Sequence, residues 1–315
     1  MKPSLHFVLI TTSAAMLLGS LTATASADIL YVSNNGNNSI SKFSGGGVSL
    51  GFPAGGVLGD NGVVFDSTGR LYVEAFDSSI VRYTTSGVGV LFSTSGRIGD
   101  SGMAFDSAGN LYVANTTDNT IERLTPGGVR SLFASSGLST PYGLAFDSTG
   151  NLYVANSTSN TIAKFTPGGI GSVFASSGLS SPFGLAFDGA GNLYAANTTG
   201  NTIEKFTPSG LGSLFASTGL SAPYGLAFDS TGNLYAANVG DDTIQKFTPG
   251  GLGSVFATFS SGLDSPEFLA FTDDAGVPLK LANQVPEPST WAMLGLGLPA
   301  LLSFRRLARQ AIRQS

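Results

Sequence analysis

Gly143-Leu-Ala-Phe-Asp-Ser-Thr-Gly-Asn-Leu-Tyr-Val-Ala-Asn156 is the stretch from which the architecture of this chain is read. Apolar Leu144, Ala145 and Phe146 lead into Asp147-Ser-Thr-Gly150, and the chain leaves through Asn151 into Leu152, Tyr153, Val154 and Ala155. Two short runs of strand-forming residues around a tight Asp/Gly turn spell a β-hairpin. Asp147 can accept backbone N–H groups two or three residues on, and Gly150 can take the positive φ that closes such a turn.

The stretch is copied along the chain. The Phe-Asp pair recurs at Phe65, Phe105, Phe146, Phe187 and Phe228, with Phe271-Thr272 as a degenerate last copy, at intervals of 40, 41, 41, 41 and 43 residues. The pair's partner keeps the same clock at Leu30, Leu71, Leu111, Leu152, Leu193 and Leu234, with a worn seventh copy at 279–283. A period near forty with several short strands per copy is the signature of propeller blades.

Each full copy reads as four strands, as at 184–188, 192–197, 202–206 and 212–216. The chain opens in mid-blade at 29–33, and 268–271 supplies the first strand that this opening lacks. The expectation is an all-β, six-bladed propeller whose N- and C-terminal strands share the closing blade. Such pairing removes the open edges of a linear array. Seven blades are the alternative; the strand at 279–283 either adds to the closing blade or competes with 29–33.

These repeats resemble NHL repeats over almost the whole body. The resemblance is carried by the Gly-Leu-Ala-Phe-Asp-x-x-Gly-Asn-Leu-Tyr-Val-Ala core and by third strands such as Asn119-Thr-Ile-Glu-Arg-Leu124 and Asn160-Thr-Ile-Ala-Lys-Phe165. It implies the fold and leaves function open, because this family architecture serves lactonases, lyases, protein binders and RNA binders alike.

The two ends differ from the body. Lys2, an apolar small-residue run over 7–21 and Ala25-Ser26-Ala27 have the order of a secretory signal, with cleavage expected after Ala27. At the other end Pro286-Glu287-Pro288 precedes an apolar run over 291–304 and Arg305, Arg306, Arg309 and Arg313. This resembles the PEP-CTERM sorting signal of Gram-negative bacteria, which implies export across the inner membrane and removal of the tail by an exosortase-type enzyme. It also implies a final place in the periplasm, on the cell surface or in the extracellular matrix. Fourteen apolar residues make a short transmembrane segment, with the arginines cytoplasmic; a plain C-terminal anchor is the competing reading. The domain expectation is therefore a signal peptide over 1–27, the propeller over 28–284 and the sorting signal over 285–310.

Of the 20 acidic residues only Glu287 lies outside the body, whereas of the 15 basic ones Lys2 and the four C-terminal arginines do, which leaves 19 against 10. So acidic a body repels nucleic acid and anionic lipid, and the expected membrane contact runs through the tail alone. There is no cysteine, so packing and ring closure must supply the stability. The single histidine, His6, lies in the signal segment, which takes the commonest general base and metal ligand away from the mature body.

A residue present in every blade belongs to the scaffold, so Asp66, Asp106, Asp147, Asp188 and Asp229 read as turn acids and Asn115, Asn156, Asn197 and Asn238 as strand-end amides. A site on a near-symmetric ring needs residues that break the symmetry. The residue before each first strand varies as Asn61, Ser101, Tyr142, Phe183, Tyr224 and Glu267, with Asp60 and Asp100 beside the first two. These eight form a candidate ligand-binding rim, part acidic or polar and part aromatic, suited to a sugar or a peptide. Glu74 replaces the Ala found at 114, 155, 196 and 237. With Glu267 it is the weak catalytic candidate, since a buried carboxylate can act as acid or base.

No metal or cofactor is expected, although Ca2+ has compositional candidates at 34–38, Asp118-Asn119 and Asp241-Asp242. None of them follows the alternating order of an EF-hand. The favoured function is a non-enzymatic, secreted or surface-sorted binding module for extracellular polysaccharide or an envelope protein. The alternative is a metal-dependent lactonase- or lyase-like enzyme.

Overall fold

The computed structural model describes residues 28–52, 62–75, 79–84, 87–94 and 102–279. Five antiparallel four-stranded sheets and one three-stranded sheet make six blades. The fourth blade is representative, with strands Pro141–Phe146, Leu152–Asn156, Thr161–Phe165 and Gly171–Ala175 in that order from the axis outward. The quoted hairpin pairs as its sequence requires, Phe146 opposite Leu152 and Leu144 opposite Val154.

The ring closes through its two ends. Ile29–Asn34 pairs with Ser39–Ser44 on one edge and with Pro266–Thr272 on the other, with Leu30 opposite Phe271. Apolar packing runs between blades, which is why consecutive residues of a strand are all apolar: one face meets the blade before and the other the blade after. Leu152 and Val154 pack against the third blade, whereas Tyr153 and Ala155 pack against the fifth. The six apolar clusters each span two neighbouring blades, and the one containing Leu30, Phe43, Tyr235 and Phe271 joins the sixth blade to the closing one. Each interface carries a tyrosine held edge-on between two phenylalanines, as with Tyr153 at 4.9 Å from Phe174 and 5.0 Å from Phe187. Such pairs contribute about 0.5–1.5 kcal/mol each beyond the area they bury.

Around the axis the inner strands crowd together at the end where they begin. A Cβ on Gly143 would lie 2.1 Å from the carbonyl oxygen of Phe183, and one on Gly184 would lie 2.2 Å from that of Tyr224. Only glycine fits this approach of two backbones.

Leu279, the one described residue of the stretch left open at 279–283, lies beside the closing blade on the side of Pro266–Thr272 away from Ile29–Asn34. After Thr272 the chain turns back, Pro278 bridges Thr272, and the Leu279 amide donates to the Phe271 carbonyl. Pro278 and Leu279 line the axial cavity with residues from the inner strands of the other blades, so they run along the axial edge of Pro266–Thr272. Residues 280–283 lie outside the described residues, as do the expected signal peptide with its cleavage site at Ala27 and the apolar run over 291–304. Among the described residues no helix is long and apolar enough to cross a membrane, so the transmembrane expectation has no support from them.

Candidate functional site

The two ends of the axis are chemically different. Where the inner strands finish, six phenylalanines, Phe65, Phe105, Phe146, Phe187, Phe228 and Phe271, surround a cavity of about 400 Å³ that Pro278 and Leu279 partly cover. Where the inner strands begin, Tyr142, Phe183 and Tyr224 come together from three successive blades. Tyr142 and Phe183 stack at 4.0 Å between ring centroids with planes 27° apart, and Phe183 meets Tyr224 at 4.4 Å and 43°. The rings form one continuous arc because each stands at the same position of its strand, one step around the ring from the last.

Glu267 takes the next position. It is buried, and its Oε1 accepts a hydrogen bond of 2.9 Å from Asn35 Nδ2. Asn35 belongs to the turn after the first strand, and its amide donates to the Ser265 carbonyl. The acid therefore sits on a backbone held by both ends of the chain. Asn35 was missed as a rim residue; the signal available was its place in the Asn-rich 34–38 turn. The rest of the expected rim, Asp60, Asn61, Asp100 and Ser101, lies outside the described residues.

Glu74 is fully buried, and its amide donates to the Gly62 carbonyl. It shares a strand face with Tyr72, which packs against Met103, Leu111 and Val113 of the third blade. Its side chain therefore belongs to the interface between blades, and the structure does not bring it to the arc.

The repeated polar residues are occupied by the scaffold. Asp147 Oδ1 accepts from Thr149 N at 2.9 Å, Thr149 Oγ1 at 2.8 Å and Asn151 N at 2.9 Å, and Oδ2 accepts from Asn151 Nδ2 at 2.8 Å. Lys164 lies 3.8 Å from the same Oδ2 and 5.1 Å from the Tyr153 ring centroid. Burial alone would push this carboxyl up, but the bonds from Asn151 and Thr149 outweigh it and hold the pKa below the usual value. Asp66, Asp188 and Asp229 are lowered in the same way.

Asn156 accepts from Ser139 N and donates to the Gly137 carbonyl and to Thr161 Oγ1, which ties the loop between blades to the strand end. Asn197 and Asn238 repeat this pattern. In the calcium candidates, Asp118 N donates to Asn115 Oδ1, Asn119 Oδ1 accepts from Thr140 N, and Asp242 Oδ1 accepts from Ser265 N. Among the described residues no three His, Cys, Asp or Glu side chains come close enough to hold a metal ion.

No curated protein matches the chain by sequence. Solved structures share its fold. The nidogen/laminin complex contains a chain that superposes with a TM-score of 0.67 at 20% identity, over 78% of this chain and 98% of that one. Virginiamycin B lyase from Staphylococcus aureus gives 0.56 at 19% identity over 68% of this chain and 77% of the other. Its catalytically inactive histidine-to-alanine variant with quinupristin gives 0.57 at 18% identity, with the same shares covered. Identities so low speak for the fold alone. Residues 284–307 match the PEP-CTERM protein-sorting motif, and the chain is thus a six-bladed β-propeller that carries at its C-terminal end a signal for export and sorting to the Gram-negative envelope or surface.

Proposed function

We propose that this protein is a surface-sorted binding module that takes an extracellular polymer at the Tyr142–Phe183–Tyr224 arc, with matrix polysaccharide as the first partner class and an envelope protein as the second. One observation carries the reading: the aromatic rings of Tyr142, Phe183 and Tyr224, from three successive blades, make one continuous arc at the end of the axis where the inner strands begin.

The arc suits contact rather than turnover. Stacking consumes the ring faces between neighbours and leaves edges and outer faces toward the mouth, large rigid surfaces that lose little entropy on binding. The neighbouring Glu267 carboxylate, buried and held by Asn35 Nδ2, fixes the backbone at the end of the arc.

The lyase-like reading starts from the shared fold. The solved Staphylococcus aureus lyase loses activity when a histidine is replaced, and the only histidine of this chain is His6, outside the propeller. Chemistry that rests on a histidine therefore has no residue to run on here.

The test is titration calorimetry of the mature chain with polysaccharide and with envelope extract from the producing cell, wild type beside Phe183→Ala. The expected result is at least tenfold weaker binding at an unchanged melting temperature. Equal binding by both proteins overturns the reading, as does turnover of a lactone panel.

A further inference from the structure

Four blades carry a lysine opposite the tyrosine of their second strand, as Lys42 opposite Tyr31, Lys164 opposite Tyr153, Lys205 opposite Tyr194 and Lys246 opposite Tyr235. In three of them one turn acid takes both polar groups. Asp147 Oδ2 accepts from the Tyr153 hydroxyl at 3.3 Å and lies 3.8 Å from Lys164 Nζ. Asp188 and Asp229 repeat this with their own tyrosine and lysine, at 3.6 and 3.5 Å from the ammonium. The closing blade has the same frame. Phe271 lies opposite Leu30 as Phe146 lies opposite Leu152, and Lys42 Nζ stands 5.2 Å from the Tyr31 ring centroid as Lys164 Nζ stands 5.1 Å from that of Tyr153. The residue after Phe271, however, is Thr272, where the other three blades have the aspartate.

Threonine does not replace that carboxylate. Thr272 is fully buried and uncharged, and its Oγ1 has no hydrogen-bond partner. Among the described residues Lys42 forms no ion pair, unlike the other three lysines. The acid of this turn has moved one place on: Asp273 Oδ1 accepts from Ala275 N at 3.0 Å and from Val277 N at 2.7 Å, which closes the turn as Asp147 closes its own. A cavity of about 190 Å³ opens at this joint, with Tyr31, Lys42, Phe52, Phe65 and Leu71 in its walls. Asp274 is the one acid that lines it, and it makes no ion pair with Lys42.

We propose that the joint between the closing and second blades binds a small carboxylate from solution, whose charge takes the place that Asp147, Asp188 and Asp229 hold in the other blades. The Lys42 ammonium supplies the charge, and the Tyr31 and Thr272 hydroxyls supply donors; hydrogen bonds to an ionised acceptor are the strong ones. Lys42 is half-buried against aromatic rings, where an opposite charge is worth more than it is in open water. Phe52, Phe65 and Leu71 select an acid with an apolar body. The acidic balance of the protein repels a polyanion, so the ligand is a single small acid rather than an acidic polymer. Thr272 ends its inner strand whereas Tyr142 begins one, so this cavity and the aromatic arc belong to opposite ends of the axis. The proposal does not depend on what the arc binds.

Titration calorimetry of the full chain with benzoate, and with benzamide as its uncharged counterpart, tests the proposal. Benzoate is expected to bind about tenfold or more tightly than benzamide, with an affinity that falls as salt is added. Lys42→Gln is expected to weaken benzoate by about tenfold or more at an unchanged melting temperature, whereas Lys164→Gln, whose lysine already has its acid, leaves benzoate binding as it was. Thr272→Asp supplies the acid from within the chain, so it is expected to abolish benzoate binding and to raise the melting temperature. If that buried substitution prevents folding, Lys42→Gln and the benzamide comparison decide the matter. Absence of benzoate binding overturns the proposal. So does equal binding of benzoate and benzamide, and so does an equal loss in Lys42→Gln and Lys164→Gln.

Discussion

Asp28 and Ser230 are 202 positions apart in the chain and in direct contact: Asp28 Oδ2 accepts both the Ser230 amide and its hydroxyl at 2.7 Å. The first described residue thereby fastens the turn of the sixth blade to the closing blade, beside the strand pairing that closes the ring. The aspartate that fastens the ring is itself largely buried. Removing it takes this acceptor from the amide and hydroxyl of Ser230, an exposed residue whose groups can turn to water. Asp28→Ala is expected to destabilise by about 1 kcal/mol, read as a lower denaturation midpoint at unchanged slope.

The narrow end of the axis rests on glycine. In Gly184→Ala the new methyl would stand 2.2 Å from the Tyr224 carbonyl oxygen and 2.9 Å from the Leu226 nitrogen, both backbone atoms that cannot rotate away. The expected cost is about 1–3 kcal/mol or more. Displacement of the Tyr224 strand also opens the Phe183–Tyr224 contact, which a near-ultraviolet circular dichroism spectrum detects.

Four turn aspartates set the response to acid. Asp66, Asp147, Asp188 and Asp229 have folded pKa values below the ordinary 3.8 because, against the effect of burial, the turn donates hydrogen bonds to each. A depressed folded pKa contributes stability that is complete above the unfolded value and is lost as pH falls through the folded one. The melting temperature is expected to change little down to about pH 4 and to drop steeply below it. Asp147→Asn lowers stability by about 1 kcal/mol at neutral pH and makes the acid limb of that curve shallower.

Glu204 behaves in the opposite sense. Burial raises its carboxyl pKa, so its contribution is fully present below the unfolded value and is lost as pH rises through the folded one. The next blade carries Gln245 at the equivalent place, where Gln245 Nε2 would lie 2.4 Å from a Cβ on Gly219 as Glu204 Oε1 would lie 2.9 Å from one on Gly178. Glu204→Gln is therefore expected to stabilise the protein at neutral pH by about 1 kcal/mol or less, with the gain vanishing near pH 4 in a series of thermal melts.

The blades and their number were legible in the sequence because a blade is local. Phe146, Asp147, Gly150 and Leu152 lie within seven positions and determine a hairpin with its register whatever surrounds it, and the copies of these residues count the blades. Closure was legible too, since residues 268–271 and 29–33 are each an incomplete blade. The positions of Tyr142, Phe183 and Tyr224 at one end followed from their common place in the repeat.

What the sequence by itself determined, then, is the repeat, the six-part ring and the sorting address, all carried by residues close together in the chain or by identity between copies. The tertiary structure alone decided what neighbouring copies do to each other: that Tyr142 and Phe183 spend their faces on one another, that Glu74 turns into the joint between two blades, and that Leu279 takes the axial edge of its strand. The reason is physical. Residues about 41 positions apart meet only after the ring has closed, so their distances and facing directions depend on how blades pack, which no single copy encodes.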